Sequence, residues 1–138
     1  MKVPDTSVVV AGFASWHEHH RSARMALSEA RGLIAHCALE TYSVLTRLPA
    51  PHRAPADLVR RFLHAQFPAQ YLALSPSGHR TLIDRLADLG ITGGAAYDAL
   101  VAATAAENEA TLVSCDRRAI RTYERWGIGL DLIGADPG

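Results

Sequence analysis

Along this chain, short unbroken apolar runs alternate with runs whose apolar residues recur three and four apart, which predicts strands and helices in turn. Met1 to Pro4 predicts a very short strand, and Asp5-Thr6-Ser7 a cap for the helical stretch Val8–Ala14. After Trp16, the segment His17–Leu27 places Ala23, Ala26 and Leu27 at helix spacing, with Gly32 suited to the stop. Leu33-Ile34-Ala35 predicts a second strand, leading through His36-Cys37 into a helix over Ala38–Leu48. The proline-rich piece Pro49–Pro55 reads as a stiff turn before an amphipathic helix over Asp57–Phe67. Tyr71–Leu74 predicts a third strand; Ser75 then caps, and Pro76 opens, a helix running to Gly90. Gly93-Gly94 opens an alanine-rich helix, Ala95–Ala106, whose almost continuous small apolar surface implies burial on most sides. Thr111–Ser114 predicts the fourth strand, Arg117–Trp126 a helix stopped by Gly127, and Leu130–Ile133 an edge strand.

Short strands separated by helices predict an α/β domain of three layers, α/β/α, around a short, mainly parallel sheet of about five strands. With 138 residues, 49% of them hydrophobic, the chain has material for one core and no room for a second, so residues 1–138 form a single domain. A formal net charge of zero gives no bulk attraction to nucleic acid or to an anionic membrane. Lys2 is the only lysine and every other basic residue is an arginine, which suits phosphate forks. No apolar run approaches the roughly 20 residues needed to span a bilayer, and the start lacks a signal-peptide core, which predicts a cytoplasmic protein without membrane contact. Cys37 and Cys115 lie too far apart for a metal-ligand spacing or a disulfide framework. His17, His19 and His20 tempt a metal reading, but on a helix only His17 and His20 share a face.

Four acids carry the candidate chemistry. Asp5 and Asp116 end predicted strands, while Glu40 and Asp98 fall in the first turns of predicted helices. Each can be explained as a helix-start acid, because the macrodipole stabilises a negative charge there by about 0.3–1 kcal/mol. Asp57, Asp84, Asp88, Glu107 and Glu124 lie among polar neighbours, whereas these four are embedded in apolar sequence. Burying an ionised carboxylate alone costs several kcal/mol, so each needs a compensating group. In a parallel sheet the carboxyl ends of the strands share one edge, so the four can converge where several helices begin. Hard oxygen ligands of this kind suit Mg²⁺ or Mn²⁺. From the residues alone, a shared acidic metal site and four separate helix caps both stand.

Asp5-Thr6-Ser7, Leu39-Glu40, the stretch Tyr97–Ala105 and the stretch Thr111–Ala119 together resemble the PIN-domain ribonucleases, more narrowly the VapC-type toxins of prokaryotic toxin–antitoxin pairs. The resemblance spans nearly the whole chain and implies a PIN-like fold. It places the family's acidic site on Asp5, Glu40, Asp98 and Asp116, with Asp5, Asp98 and Asp116 as direct or water-bridged metal ligands and Glu40 as ligand or general base. The strand-end hydroxyl that helps hold the metal and its waters falls on Ser114, where threonine is the commoner choice, and Thr6 has a supporting role. Some relatives carry a further acid shortly after the position of Asp116, where this chain has Arg117, Arg118 and Ala119. The implied activity is hydrolysis of RNA phosphodiester bonds with Mg²⁺ or Mn²⁺, and Arg117, Arg118 and Arg47 are the candidate grips on the phosphate backbone. The implied partners are a small antitoxin protein and a second copy of the chain in a homodimer. Phe13, Trp16 and Met25 are the expected docking surface.

Other architectures fit less of the sequence. A phosphoacceptor of the receiver or aspartyl-phosphatase type needs a late basic partner, usually lysine, and only arginines follow Asp116. A non-catalytic scaffold would be expected to lose some of the four acids. Gly90-Ile91-Thr92-Gly93-Gly94 neither follows a strand nor matches a phosphate-binding fingerprint. A PIN nuclease in RNA processing, working without an antitoxin, stays open.

Overall fold

The computed structural model describes residues 1–134. The elements run β1 (Lys2–Pro4), α1 (Thr6–Phe13), α2 (His20–Glu29), α3 (Ala35–Arg47), α4 (Ala56–Gln66), α5 (Pro76–Leu89), α6 (Ala95–Glu107), β2 (Thr111–Ser114), α7 (Arg117–Arg125) and β3 (Leu130–Leu132). The sheet is parallel, in the order β1-β2-β3, with Val3 opposite Leu112 and Val113 opposite Asp131. Leu112, Val113 and Ser114 are all buried although successive strand residues face opposite ways, so helices cover β2 on both sides. The α1 and α6 helices both pack on it.

Among the described residues three strands are observed, not about five. The expected strands Leu33–Ala35 and Tyr71–Leu74 shrink to a single parallel bridge, Ile34 to Leu72, closed by Leu72 N–H on the Leu33 carbonyl (2.9 Å) and Ala35 N–H on the Leu72 carbonyl (2.8 Å). The cause is local. Helix α3 takes up the chain from Ala35, and Ser75 caps α5 three residues after Leu72, so neither segment keeps enough extended residues for a ladder. One hydrogen bond, from Arg31 N–H to the Lys2 carbonyl (3.4 Å), tethers this margin to β1.

Helix starts follow the caps where caps exist. Asp5 accepts from Val8 N–H, Ser75 Oγ from Gly78 N–H with Pro76 following, and Asp116 from Arg118 and Ala119 N–H. Gly90 ends α5 at φ 68°, a conformation that costs other residues about 1 kcal/mol or more. Helix α3 has no side-chain cap and begins at Ala35, three residues before the expected start, which moves Glu40 from the first turn to the second. Helix α2 begins at His20, so His17 and His19 precede it, and their rings lie 5.4 Å apart in the connecting turn.

Of the three apolar side chains expected to be free for docking, Trp16 and Met25 are exposed, but Phe13 is partly buried, edge-on to Phe62 with ring centroids 5.2 Å apart. No helix among the described residues is long and apolar enough to cross a membrane.

Gly12 lets α1 approach α2 closely: a Cβ there would stand 2.3 Å from Leu27 Cδ1, and Leu27 is buried in the core. Leu27→Ala should cost about 2–5 kcal/mol of stability in urea unfolding. Gly12→Ala gains roughly 0.5–1 kcal/mol in helix propensity but overpacks a filled site, which costs about 1–3 kcal/mol, so the single variant should be less stable than wild type. In the Leu27→Ala background the same change should become neutral or stabilising.

Candidate active site

The end of β1 delivers Asp5 into the interior, 3% exposed, with both carboxylate oxygens engaged. Oδ1 accepts from Ser7 Oγ (2.5 Å) and Val8 N–H (3.4 Å), and Oδ2 accepts from Ser114 Oγ (2.6 Å) and Tyr123 OH (2.9 Å). The serine hydroxyls are themselves oriented, because Ser7 Oγ accepts from Cys115 N–H and Ser114 Oγ from Asp116 N–H, both at 3.0 Å. Their remaining protons therefore point at Asp5. Burial pushes the Asp5 carboxyl above its usual range, while Ser114, Ser7, Tyr123 and the Val8 N–H pull it back. Tyr123 is driven well above the usual phenol range, first by burial and then by the charge of Asp5.

Beside this buried group opens a cleft of about 430 Å³, lined among others by Thr6, Glu40, Cys115, Asp116 and Arg118. Glu40 lies with Oε2 3.8 Å from His36 Nε2, and its carboxyl is held below the usual range chiefly by His36, with a smaller contribution from the charge of Arg47. Asp98, in the first turn of α6, is pushed up to about 6, first by burial and then by the negative charges of Asp116, Glu40 and Asp5. Its face is lined by Val101, Ala102 and Ala105, all buried, which accounts for the desolvation.

The charges of Asp116, Glu40 and Asp5 thus all bear on Asp98. Among the described residues, however, no three His, Cys, Asp or Glu side chains stand close enough to form a closed cage for a metal ion. The donor set still fits a hard divalent cation that keeps part of its water shell: carboxylate and hydroxyl oxygens, with Thr6 Oγ1 buried at the cleft beside Glu40. Of the three candidate arginines, Arg118 lines the cleft with Nε 3.8 Å from Asp116 Oδ1. Arg47 bonds Ser43 Oγ and reaches Glu40 only through its charge, and Arg117 is exposed at the start of α7.

Comparison with known proteins gives the family and the fold. The model of the PIN domain matches residues 2–125. Ribonuclease VapC40 of Mycobacterium tuberculosis is 51% identical over 133 residues, covering 96% of this chain and 99% of that protein. The chain belongs to the PIN-domain family, as a VapC-type member. Ribonuclease VapC27 of Mycobacterium tuberculosis is 46% identical, covering 93% of this PIN chain and 96% of that one. Among solved structures, FitAB bound to an IR36 DNA fragment superposes with a TM-score of 0.69 at 16% identity, covering 94% of this chain and 93% of that one. FitAcB from Neisseria gonorrhoeae superposes at 0.67, also at 16% identity, covering 95% and 96%. These two likenesses show the fold.

Two groups of this PIN domain escape a reading of the sequence by acids alone. Tyr123 shares the buried face of α7 with Ala119, and a phenol in such a stripe needs a partner for its hydroxyl, which is the signal that leads to Asp5. The His36–Glu40 pair is an i,i+4 contact that exists only because α3 starts at Ala35.

Tyr123→Phe should cost the PIN domain about 1–3 kcal/mol in urea unfolding, since it strips one donor from a buried carboxylate. Asp98 predicts a pH signature. Its folded-state pKa of about 6 lies above the unfolded value, so the folded state binds the extra proton, and stability falls as pH rises through that window. Asp98→Asn should therefore melt higher than wild type above about pH 6, and the two curves should meet below about pH 4.

Proposed function

We propose that this PIN domain is a metal-dependent endoribonuclease of the cytoplasm, the toxin of a toxin–antitoxin pair, with Mg²⁺ or Mn²⁺ at the cleft. The observation that carries this is the carboxyl of Asp98, raised first by burial and then by the negative charges of Asp116, Glu40 and Asp5. Acids packed this way raise one another's energy, and a divalent cation relieves it. Ribonuclease VapC40 and Ribonuclease VapC27 lend their named activity to the reading through near-complete coverage. When bound, the cation supplies charge neutralisation at the phosphate and lowers the pKa of a water in its shell.

The chain's own residues do the rest. Asp98 and Asp116 hold the cation from the starts of α6 and α7, and Asp5 adds a charge fixed from below, acting directly or through water. Thr6 Oγ1 lines the cleft, and Ser114 Oγ stands beside Asp5. Glu40, kept ionised by His36, serves better as a fixed charge and water anchor than as a proton acceptor, because its carboxyl is shifted away from neutrality. Arg118 grips a substrate phosphate at the cleft wall, with Arg47 and Arg117 as outer contacts on the RNA backbone. A small antitoxin protein restrains the enzyme by filling this cleft with a basic side chain. Trp16 and Met25 belong to its docking surface, and the working form is a homodimer.

Purified wild type should cleave RNA with Mg²⁺ or Mn²⁺ and stop on adding chelator. Asp98→Asn and Asp116→Asn should each lose about 100-fold or more while keeping the native far-ultraviolet circular dichroism, since even partners one step removed from a metal cost 10–100-fold. Undiminished cutting by both variants would refute the assignment. Purification from cells that make the protein should yield a complex with a small protein in which cleavage is suppressed, whereas a chain that purifies alone and unrestrained points to an RNA-processing nuclease.

A further inference from the structure

Tyr97 immediately precedes Asp98, yet its ring is largely in solvent: the residue is 60% exposed. One face of the ring is covered by the imidazole of His36, centroid to centroid 5.5 Å with the planes 7° apart. The same His36 stands 3.8 Å from Glu40. The stack therefore spans from the helix that carries Glu40 to the helix that carries Asp98, at the margin of the acidic cleft. The imidazole restrains the phenol ring from one side, so less freedom is lost when something lies on its outer face.

We propose that the outer face of Tyr97 is a stacking surface for the nucleobase next to the phosphate held at the acids; this rests on the nuclease function proposed above. A phosphodiester seated between Asp98 and Glu40 brings the base of an adjoining nucleotide within reach of this ring, whatever the sequence, because every base has a flat π face. The neighbouring nucleotide on the other side lies in the cleft, where Val10 and Val44 supply apolar wall. Bases paired within a duplex are already stacked on each other and cannot swing onto an outside ring, so the surface selects single-stranded or looped RNA. A nucleobase is a better occupant than a partner protein's side chain because the ring stacks on His36, which itself stands 3.8 Å from Glu40 at the cleft.

The test is fluorescence anisotropy of a labelled single-stranded RNA with Ca²⁺ in place of Mg²⁺, so that the acids can still engage the phosphate, read before any cutting. Tyr97→Ala and Tyr97→Leu should weaken binding about ten-fold, Tyr97→Phe and Tyr97→Trp should stay within roughly two-fold of wild type, and a fully paired hairpin or an abasic strand should bind all five proteins alike. In cleavage assays with metal, KM should rise for the first two while kcat changes less. Equal binding by wild type and Tyr97→Ala, when wild type cuts RNA and Asp116→Asn does not, overturns the stacking surface and leaves the nuclease standing. So does a loss shared by Tyr97→Phe, which would assign the effect to the hydroxyl, or weaker hold on a small protein partner with RNA affinity untouched. A wild type that neither binds nor cuts RNA overturns both.

Discussion

A single buried carboxylate ties this fold to its chemistry. Asp5 ends β1, caps α1, and collects hydroxyls from Ser7, from Ser114 at the end of β2 and from Tyr123 in α7. An ionised group in that position is tolerated only because each lone pair finds a donor, and because the serines are locked by backbone N–H groups of Cys115 and Asp116. The parallel pairing of β1 with β2 brings Asp5 and Ser114 to the same edge, and α7 folds back from Asp116 to place Tyr123 over them. The sheet is short, but its ends are cross-linked by polar bonds as well as by packing.

Around that fixed charge the other acids are arranged with different degrees of freedom. Asp116 is held by its duty as a cap, and Glu40 sits one turn into α3 under the influence of His36. Asp98 has no compensating partner of comparable strength: Arg118 acts on it weakly against burial and three like charges. The protein thus stores electrostatic tension at one place, the start of α6, while the opposite end of that helix is anchored by Glu107 on the backbone and hydroxyl of Ser75. Tension at a helix start that is secured from its far end can be relieved by a ligand without loosening the core.

Much of this was legible in the sequence because caps and turn residues carry their own signatures. Asp5, Ser75-Pro76, Gly90 and Asp116 marked their helix boundaries correctly, and with them the positions of two of the four acids. Asp98 was legible from its apolar neighbours. The start of α3 was not, because Ile34 offers no capping side chain; the shift concealed His36 beside Glu40. Leu33–Ala35 and Tyr71–Leu74 have strand composition, but adjacent helices claim their residues, a competition that apolar periodicity does not record. Tyr123 was hidden for the opposite reason: by pattern it is one more core residue, and only its hydroxyl gives it a role.

The hydrogen bonds to Asp5 also bear on what the chain needs in order to close around it. Its deepest negative group is solvated by the polypeptide itself, through four donors, and so no ion has to be recruited before the chain can close around it. Closing this end of the sheet is thus the work of the chain's own hydroxyls and amides.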